Sequence, residues 1–235
     1  MSLLAVTGLR KSFGGIRAVD GLTFAVERGE IAGLIGPNGS GKTTTFNLIT
    51  GFLEPSEGEV TFDGRDITAE KPYDVAKRGI GRTFQITKPF GRLTVFENML
   101  VPNTSMGTYT QAVEDRIWTI LEELDLDHVA DHDAEELSGG QQKLLEIARV
   151  LMLDPELILL DEPAAGVNPA LLDEILDRIV DLNDRGRTFL VVEHDMAVIE
   201  ELCHRIVVMD NGHKIASGSF DEIRADERVQ EAYLG

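Results

Sequence analysis

The stretch IAGLIGPNGSGKTTTFNLI, residues 31–49, decides the fold of this chain. It opens with an apolar run typical of a buried strand and closes with a segment that predicts a helix. Between them, GPNGSGKT at 36–43 matches the pattern G-x-x-x-x-G-K-[S/T] in full. Glycines allow backbone N–H groups to turn towards phosphate oxygens, and the positive N-terminal end of the following helix favours the same anion. The stretch therefore predicts a phosphate-binding loop, in preference to a glycine-rich turn with a solvated lysine.

Two residues at the end of this loop carry its chemistry. Lys42 is expected to act in catalysis by reaching the β and γ phosphates of a nucleotide, and Thr43 to offer its hydroxyl to Mg²⁺. The remaining predicted nucleotide contacts come from the loop and the residue after it, at Gly36, Asn38, Gly39, Ser40, Gly41 and Thr44.

A second part of the site follows the apolar run LILL at 157–160, where Asp161 and Glu162 are adjacent. A carboxylate at the end of such a strand can hold Mg²⁺, which is the role predicted for Asp161. Glu162 is predicted to orient or deprotonate the attacking water. Acidic residues after a buried strand also cap helices or lie in solvent, so it is the phosphate loop that favours the catalytic interpretation.

Strand and helix patterns around these motifs predict an α/β fold. LILL and TFLVVE (188–193) are continuous apolar runs, as expected for strands buried on both faces of a parallel sheet, and a helix opens at 168–169 between them. Runs before residue 36 and a turn at 63–64 predict antiparallel strands. We therefore expect a P-loop NTPase core of mainly parallel sheet flanked by helices, with an N-terminal antiparallel β subdomain and a helical insert. Residues 1–235 would form a single domain, with a core of about 1–85 plus 156–235 and a helical subdomain of about 86–155.

Composition limits the classes of protein to which this chain can belong. It has 235 residues, of which 43% are apolar and 27% charged, as in globular proteins and unlike disordered or collagen-like chains. No apolar run is long enough to span a bilayer, and the single cysteine cannot form an internal disulfide, so a cytoplasmic location is predicted. The net charge of −19 disfavours nucleic acid as a partner. This charge is concentrated in residues 109–235, and an acidic, lysine-poor surface would also suit a high-salt cytoplasm.

LSGGQ at 137–141 has two compatible interpretations. Ser138 and Gln141 fit the S-x-x-Q capping box of the helix that follows. A capped helix N-terminus is also a site that favours an anion.

These motifs together resemble the ATP-binding subunit of ABC transporters. They follow that family's order across nearly the whole chain, and six motifs in one order exclude a chance match. The matching elements are GPNGSGKT (36–43), Gln85 after GIGRTF, LSGGQ (137–141), LILLDEP (157–163), AAGVNP (164–169) and Glu193-His194-Asp195.

The resemblance implies an ATPase that works as a head-to-tail dimer, with ATP between the phosphate loop of one subunit and LSGGQ of the other. It implies that Phe13 stacks on adenine, that Gln85 completes Mg²⁺ coordination and senses a transmembrane partner, and that His194 contacts the γ-phosphate. The alternatives are a core position for Phe13, a surface position for Gln85 and a structural role for His194. The partner's nucleotide would be bound by Ser138, Gly139, Gly140 and Gln141. One departure is Asn168, where the family commonly has aspartate.

Several stretches resemble the ATP-binding subunit of branched-chain amino acid importers: 81–102, 161–169, 191–196 and 228–235. This resemblance implies import of branched-chain or related amino acids or amides, powered from the inner face of the cell membrane. Its implied partners are permease subunits, a second ATP-binding subunit that is identical or related, and indirectly a solute-binding protein. The alternatives are lipopolysaccharide export and a soluble ABC-type ATPase of iron–sulfur assembly or cell division. The chain is shorter between Leu100 and Ala112 than is common in this branch.

A run of basic residues lies near the predicted partner-facing insert. It could meet a partner loop or lipid headgroups, or it could be an ordinary solvated face. Its members are Lys71, Lys77, Arg78, Arg82, Lys88 and Arg92.

Overall fold

Two β-sheets form the framework of the protein, seen in a computed structural model that describes residues 2–83, 89–103 and 109–234. The first sheet is antiparallel and has the strand order β2-β1-β4-β5. Two of its strands, β1 and β2, have 12 residues each and pair along nearly their whole length. Their bounds are β1 Ser2–Phe13, β2 Ile16–Glu27, β4 Glu57–Phe62 and β5 Arg65–Asp66.

The second sheet has the order β10-β9-β3-β8-β7-β6 and is parallel except for its edge strand β10. Strands β3, β7 and β8 are buried at every position, as their continuous apolar runs predict. The bounds are β3 Ile31–Ile35, β6 Ile80–Arg82, β7 Leu157–Asp161, β8 Thr188–Val192, β9 Arg205–Asp210 and β10 His213–Gly218. The predicted α/β class, with a mainly parallel sheet and an N-terminal antiparallel sheet, is confirmed.

Helices cover both faces of the parallel sheet, and local signals fix several of their first residues. Thr94 and Glu97 exchange capping-box hydrogen bonds at the start of α3, and the Asn168 side chain accepts from the Leu171 N–H at the start of α6. The helices are α1 Lys42–Ile49, α2 Pro72–Lys77, α3 Val95–Asn103, α4 Gln111–Glu123, α5 Gly139–Leu151, α6 Pro169–Asp184, α7 Met196–Leu202, α8 Phe220–Ala225 and α9 Glu227–Leu234. Within the described ranges, none of them has the length and apolar character needed to cross a membrane.

Alternate residues of the central strands pack into two separate hydrophobic cores. Leu157 and Leu159 of β7 pack with α1 and the antiparallel sheet, whereas Ile158 and Leu160 pack with helices α3 to α6. Helix α1 is thus held between the two sheets, with Phe46 fully buried. The helices between 95 and 151 share their core with the parallel sheet, so the predicted division into two subdomains stays a prediction.

Candidate nucleotide site

The phosphate loop lies between β3 and α1, and its shape is fixed by close neighbours. A Cβ added to Gly41, whose φ is +105°, would lie 2.3 Å from the Ala18 carbonyl oxygen. A Cβ added to Gly36 would lie 2.1 Å from the Met209 carbonyl oxygen. The Ser40 carbonyl accepts a hydrogen bond from Gly212 N–H at 3.0 Å. Glycine is therefore required at both positions by the strands behind the loop.

Lys42 is folded back into this loop. Its Nζ donates hydrogen bonds to the Gly36 carbonyl at 2.6 Å and to the Pro37 carbonyl at 2.9 Å. Burial lowers the pKa of Lys42, while the Glu162 and Asp161 carboxylates act in the opposite direction. The loop thus encloses a cation, which suits an anionic ligand.

A cavity of about 420 Å³ opens above the loop. It brings part of the predicted nucleotide contacts together with the predicted catalytic carboxylate of Glu162, which directly follows β7. Phe13 is 46% exposed at the cavity wall, so it is not a core residue. Gly36 and Ser40 belong to the loop but do not line the cavity, and Ser40 is 2% exposed. The lining consists of Phe13, Ala18, Asn38, Gly39, Gly41, Lys42, Thr43, Thr44 and Glu162.

The carboxyl ends of β7 and β8 bring the predicted catalytic residues side by side. The Glu162 N–H donates to the Val192 carbonyl at 2.8 Å, and Glu162 has a left-handed backbone with φ +53°. His194 follows β8, and its Nδ1 lies 3.8 Å from Glu162 Oε1. The His194 side chain is 63% exposed, whereas that of Glu162 is 20% exposed. Because both side chains are at least partly exposed, Glu162 and His194 can contact a ligand bound at the carboxyl ends of these strands.

Arg82 corrects the interpretation of the basic run as one surface. Its side chain is only 6% exposed, and its guanidinium forms an ion pair with Asp161 Oδ2 at 3.0 Å. The same group donates to the Asn47 side-chain oxygen at 2.7 Å. Burial lowers the pKa of Arg82, opposed by Asp161. Arg82 therefore belongs to the site, where it pairs with Asp161, the carboxylate predicted to bind metal. It is not part of a surface that could contact lipid or solvent.

The signature LSGGQ caps α5 as predicted. Gln141 N–H donates to Ser138 Oγ at 3.3 Å, and Ser138 N–H donates to the Gln141 side-chain oxygen at 3.0 Å. A Cβ at Gly140 would lie 2.0 Å from a methyl carbon of Leu171, so close packing against α6 already favours glycine there. The lining of the phosphate-loop cavity includes none of residues 138–141.

Two of the predicted residues are not described by the structure, and one buried carboxylate is a finding of the structure alone. Gln85, predicted to complete the metal site, and Lys88 lie outside the described residues. The motifs predict no role for Glu193, whereas the structure places its fully buried carboxylate between the loops that follow β7 and β8. The signal in the sequence is a charged residue at the end of an otherwise apolar strand, TFLVVE.

The sequence profile of the ABC transporter family matches residues 19–165. The chain belongs to this family. It is accordingly an ATP-binding subunit with ATPase activity, as the motifs predict. A second profile, described as that of branched-chain amino acid ATP-binding cassette transporters, matches residues 213–235 of this ABC subunit.

Full-length relatives agree with this assignment. The chain is 42% identical to the probable branched-chain amino acid transport ATP-binding protein LivG of Archaeoglobus fulgidus, over 100% of this chain and 96% of that protein. It is 38% identical to the lipopolysaccharide export system ATP-binding protein LptB of Escherichia coli, over 100% and 98%. The crystal structure of the ADP conformation of MJ1267, an ATP-binding cassette of an ABC transporter, superposes with a TM-score of 0.93 at 38% identity, covering 100% and 99%.

Proposed function

We propose that this ABC subunit hydrolyses ATP in the cavity above residues 36–43 to power an importer of branched-chain or related amino acids or amides. The observation that carries the chemistry is that Lys42 and Glu162 share one cavity, with His194 3.8 Å from Glu162. The identity to LivG, higher than that to LptB, and the profile match at 213–235 support the substrate class.

Each side chain has a role that its position suits. Lys42 binds the β and γ phosphates from inside the loop, and the exposed ring of Phe13 offers a face to the nucleobase. Glu162 orients the attacking water and accepts its proton, and His194 contacts the γ-phosphate beside it.

Mg²⁺ fits the donors at this site. The Thr43 hydroxyl and the Asp161 carboxylate are oxygen ligands of the kind that Mg²⁺ prefers, and we assign them, together with Gln85, to hold it. The ion would neutralise charge on the phosphates. Arg82 keeps the Asp161 carboxylate oriented through their ion pair.

The active form is a head-to-tail dimer with an identical or related subunit. Ser138, the Gly139 and Gly140 backbone, and Gln141 cap a helix whose N-terminus favours an anion, yet they lie outside the cavity of their own chain. A second subunit whose signature closes this cavity would complete it. Permease subunits would contact the segment around Gln85 and the helices of 95–151. The complex would sit on the inner face of the cell membrane, with a solute-binding protein linked only indirectly.

The hydrolysis mechanism is tested with Glu162→Gln. ATP affinity should be retained, hydrolysis should fall by about 10²–10⁴-fold, and an ATP-bound dimer should accumulate in gel filtration with light scattering. Lys42→Ala is the control: it should lose ATP binding and form no such dimer. Hydrolysis by Glu162→Gln at the wild-type rate would remove this residue from the chemistry.

The transported substrate is tested by purifying the tagged chain from detergent-solubilised membranes of its source cells. Multi-spanning proteins should co-purify with it, together with a solute-binding protein that binds leucine, isoleucine or valine. Recovery of a lipopolysaccharide export assembly would instead favour the exporter function that LptB represents. Recovery of soluble partners alone would contradict transport and leave the ATPase mechanism standing.

A further inference from the structure

Glu193 is a fully buried carboxylate that receives backbone hydrogen bonds from two different loops. Its Oε1 accepts from the Ala164 N–H at 2.7 Å, and its Oε2 accepts from the His194 N–H at 3.1 Å. Its side chain is 0% exposed. One side chain thus joins the loop after β7 to the loop after β8.

Because burial removes water from this carboxylate, its charge depends on the backbone N–H groups that bind both of its oxygens. Burial raises the pKa of Glu193, while the backbone N–H donors act in the opposite direction. A neutral side chain of similar size would avoid the desolvation of a charge. The carboxylate offers what a neutral amide lacks, namely acceptors on both of its terminal atoms.

The two loops joined by Glu193 carry Glu162 and His194, whose side chains must keep a fixed position relative to each other. Glu162 lies two residues before Ala164, and His194 follows Glu193 directly. The β7–β8 ladder ends at Asp161 and Val192, and beyond it the Glu162 N–H still bonds to the Val192 carbonyl. The Glu193 carboxylate is the next connection along the same edge. His194 Nδ1 lies 3.8 Å from Glu162 Oε1 and 3.9 Å from Glu193 Oε2.

We propose that Glu193 is a positioning residue that holds the Glu162 loop and the His194 loop in a fixed relation for ATP hydrolysis. The inference rests on the proposed roles of Glu162 and His194. Glu193 does not line the nucleotide cavity, so it acts through its neighbours and makes no contact with the substrate. It sets the rate of the chemical step and leaves ATP affinity alone.

The test compares Glu193→Gln, just beyond the end of β8, with a matched control in the first residue of that strand, Thr188→Val. Gln keeps the size of the side chain but places an NH₂ donor against one of the backbone N–H groups. Thr188 is also buried, and its hydroxyl accepts from the Gly29 N–H at 3.0 Å, at the opposite end of β8 from the site. Each variant therefore removes a side-chain acceptor for a backbone N–H, and only one of the two acceptors joins the catalytic loops.

For Glu193→Gln we expect kcat to fall by about 10- to 100-fold with ATP affinity unchanged, because misplacement of reacting groups costs rate more than binding. Amide hydrogen exchange should accelerate by about tenfold in the loops after β7 and β8, 162–167 and 193–195, and the melting temperature should fall by a few degrees, because a buried N–H loses its acceptor. Thr188→Val should change neither kcat nor exchange in these loops.

Wild-type kcat in Glu193→Gln, or unchanged exchange in both loops, would overturn the proposal. An equal loss of kcat in Thr188→Val would also overturn it, since the loss would then reflect general destabilisation. If the wild-type chain fails to hydrolyse ATP, the proposed function falls instead, and the exchange comparison still decides whether Glu193 holds the loops together.

Discussion

Arg82 and Asp161 form a buried ion pair whose partners are supplied by neighbouring strands β6 and β7. We expect Arg82→Met to lower the free energy of unfolding by about 3–5 kcal/mol, because it leaves the Asp161 carboxylate buried without its cation. Chemical denaturation measures this change. Arg178→Met is the control, since Arg178 lies 3.7 Å from Asp181 and that carboxylate is 55% exposed, so its loss should cost less than about 1 kcal/mol. Equal costs for the two variants would contradict a special role for Arg82.

Cys203 should be unreactive in the folded protein. Burial raises the pKa of its thiol from 9.0 to about 12. The thiolate is the reactive form, so at about pH 8 its population falls by about a thousandfold relative to a thiol with the ordinary pKa. Iodoacetamide labelling followed by mass spectrometry should therefore be slow in buffer and fast in urea. Rapid labelling of the native protein would contradict a raised pKa for this thiol.

Helix α5 meets α6 at Gly140, where close packing and the signature motif coincide. Gly140→Ala should destabilise the protein by about 1–3 kcal/mol, because its Cβ would overlap Leu171. Adding Leu171→Ala should remove most of that penalty in a double-mutant cycle measured by thermal unfolding. Gly139→Ala is the control, since the nearest atom to its Cβ is the Gly166 carbonyl oxygen at 4.0 Å. A Gly140→Ala variant as stable as Gly139→Ala would contradict this explanation of the glycine.

Within one chain, the phosphate loop lines the nucleotide cavity, whereas the LSGGQ residues 138–141 at the start of α5 do not. Ser138→Arg should therefore lower ATPase activity by about a hundredfold through the dimer, while each monomer still binds ATP. Ser219→Arg is a matched control, because Ser219 is the N-cap of α8 and has the same kind of capping box. Steady-state hydrolysis and equilibrium ATP binding measure the two effects. If both variants keep full activity, Ser138 has no part in a composite site.

Much of the fold could be predicted because its signals are local. Apolar runs predicted β7 and β8, and residues 168–169 predicted the start of α6. The phosphate loop was predicted for the same reason, since its glycines, lysine and helix are contiguous. The length of β1 and β2 was not predicted, because their pairing along the whole strand is a tertiary property.

The sequence by itself determined the α/β class, the phosphate loop, the family, and the residues that the structure brings to one cavity. Only the tertiary structure decided the partners of Arg82 and Glu193. Arg82 lies 79 positions from Asp161, and Glu193 lies 29 positions from Ala164, so no local pattern reports either contact. The basic run was interpreted as one surface for this reason. Folding decides the partner of a buried charged side chain, because it replaces the water around the charge with specific groups that are distant in the sequence.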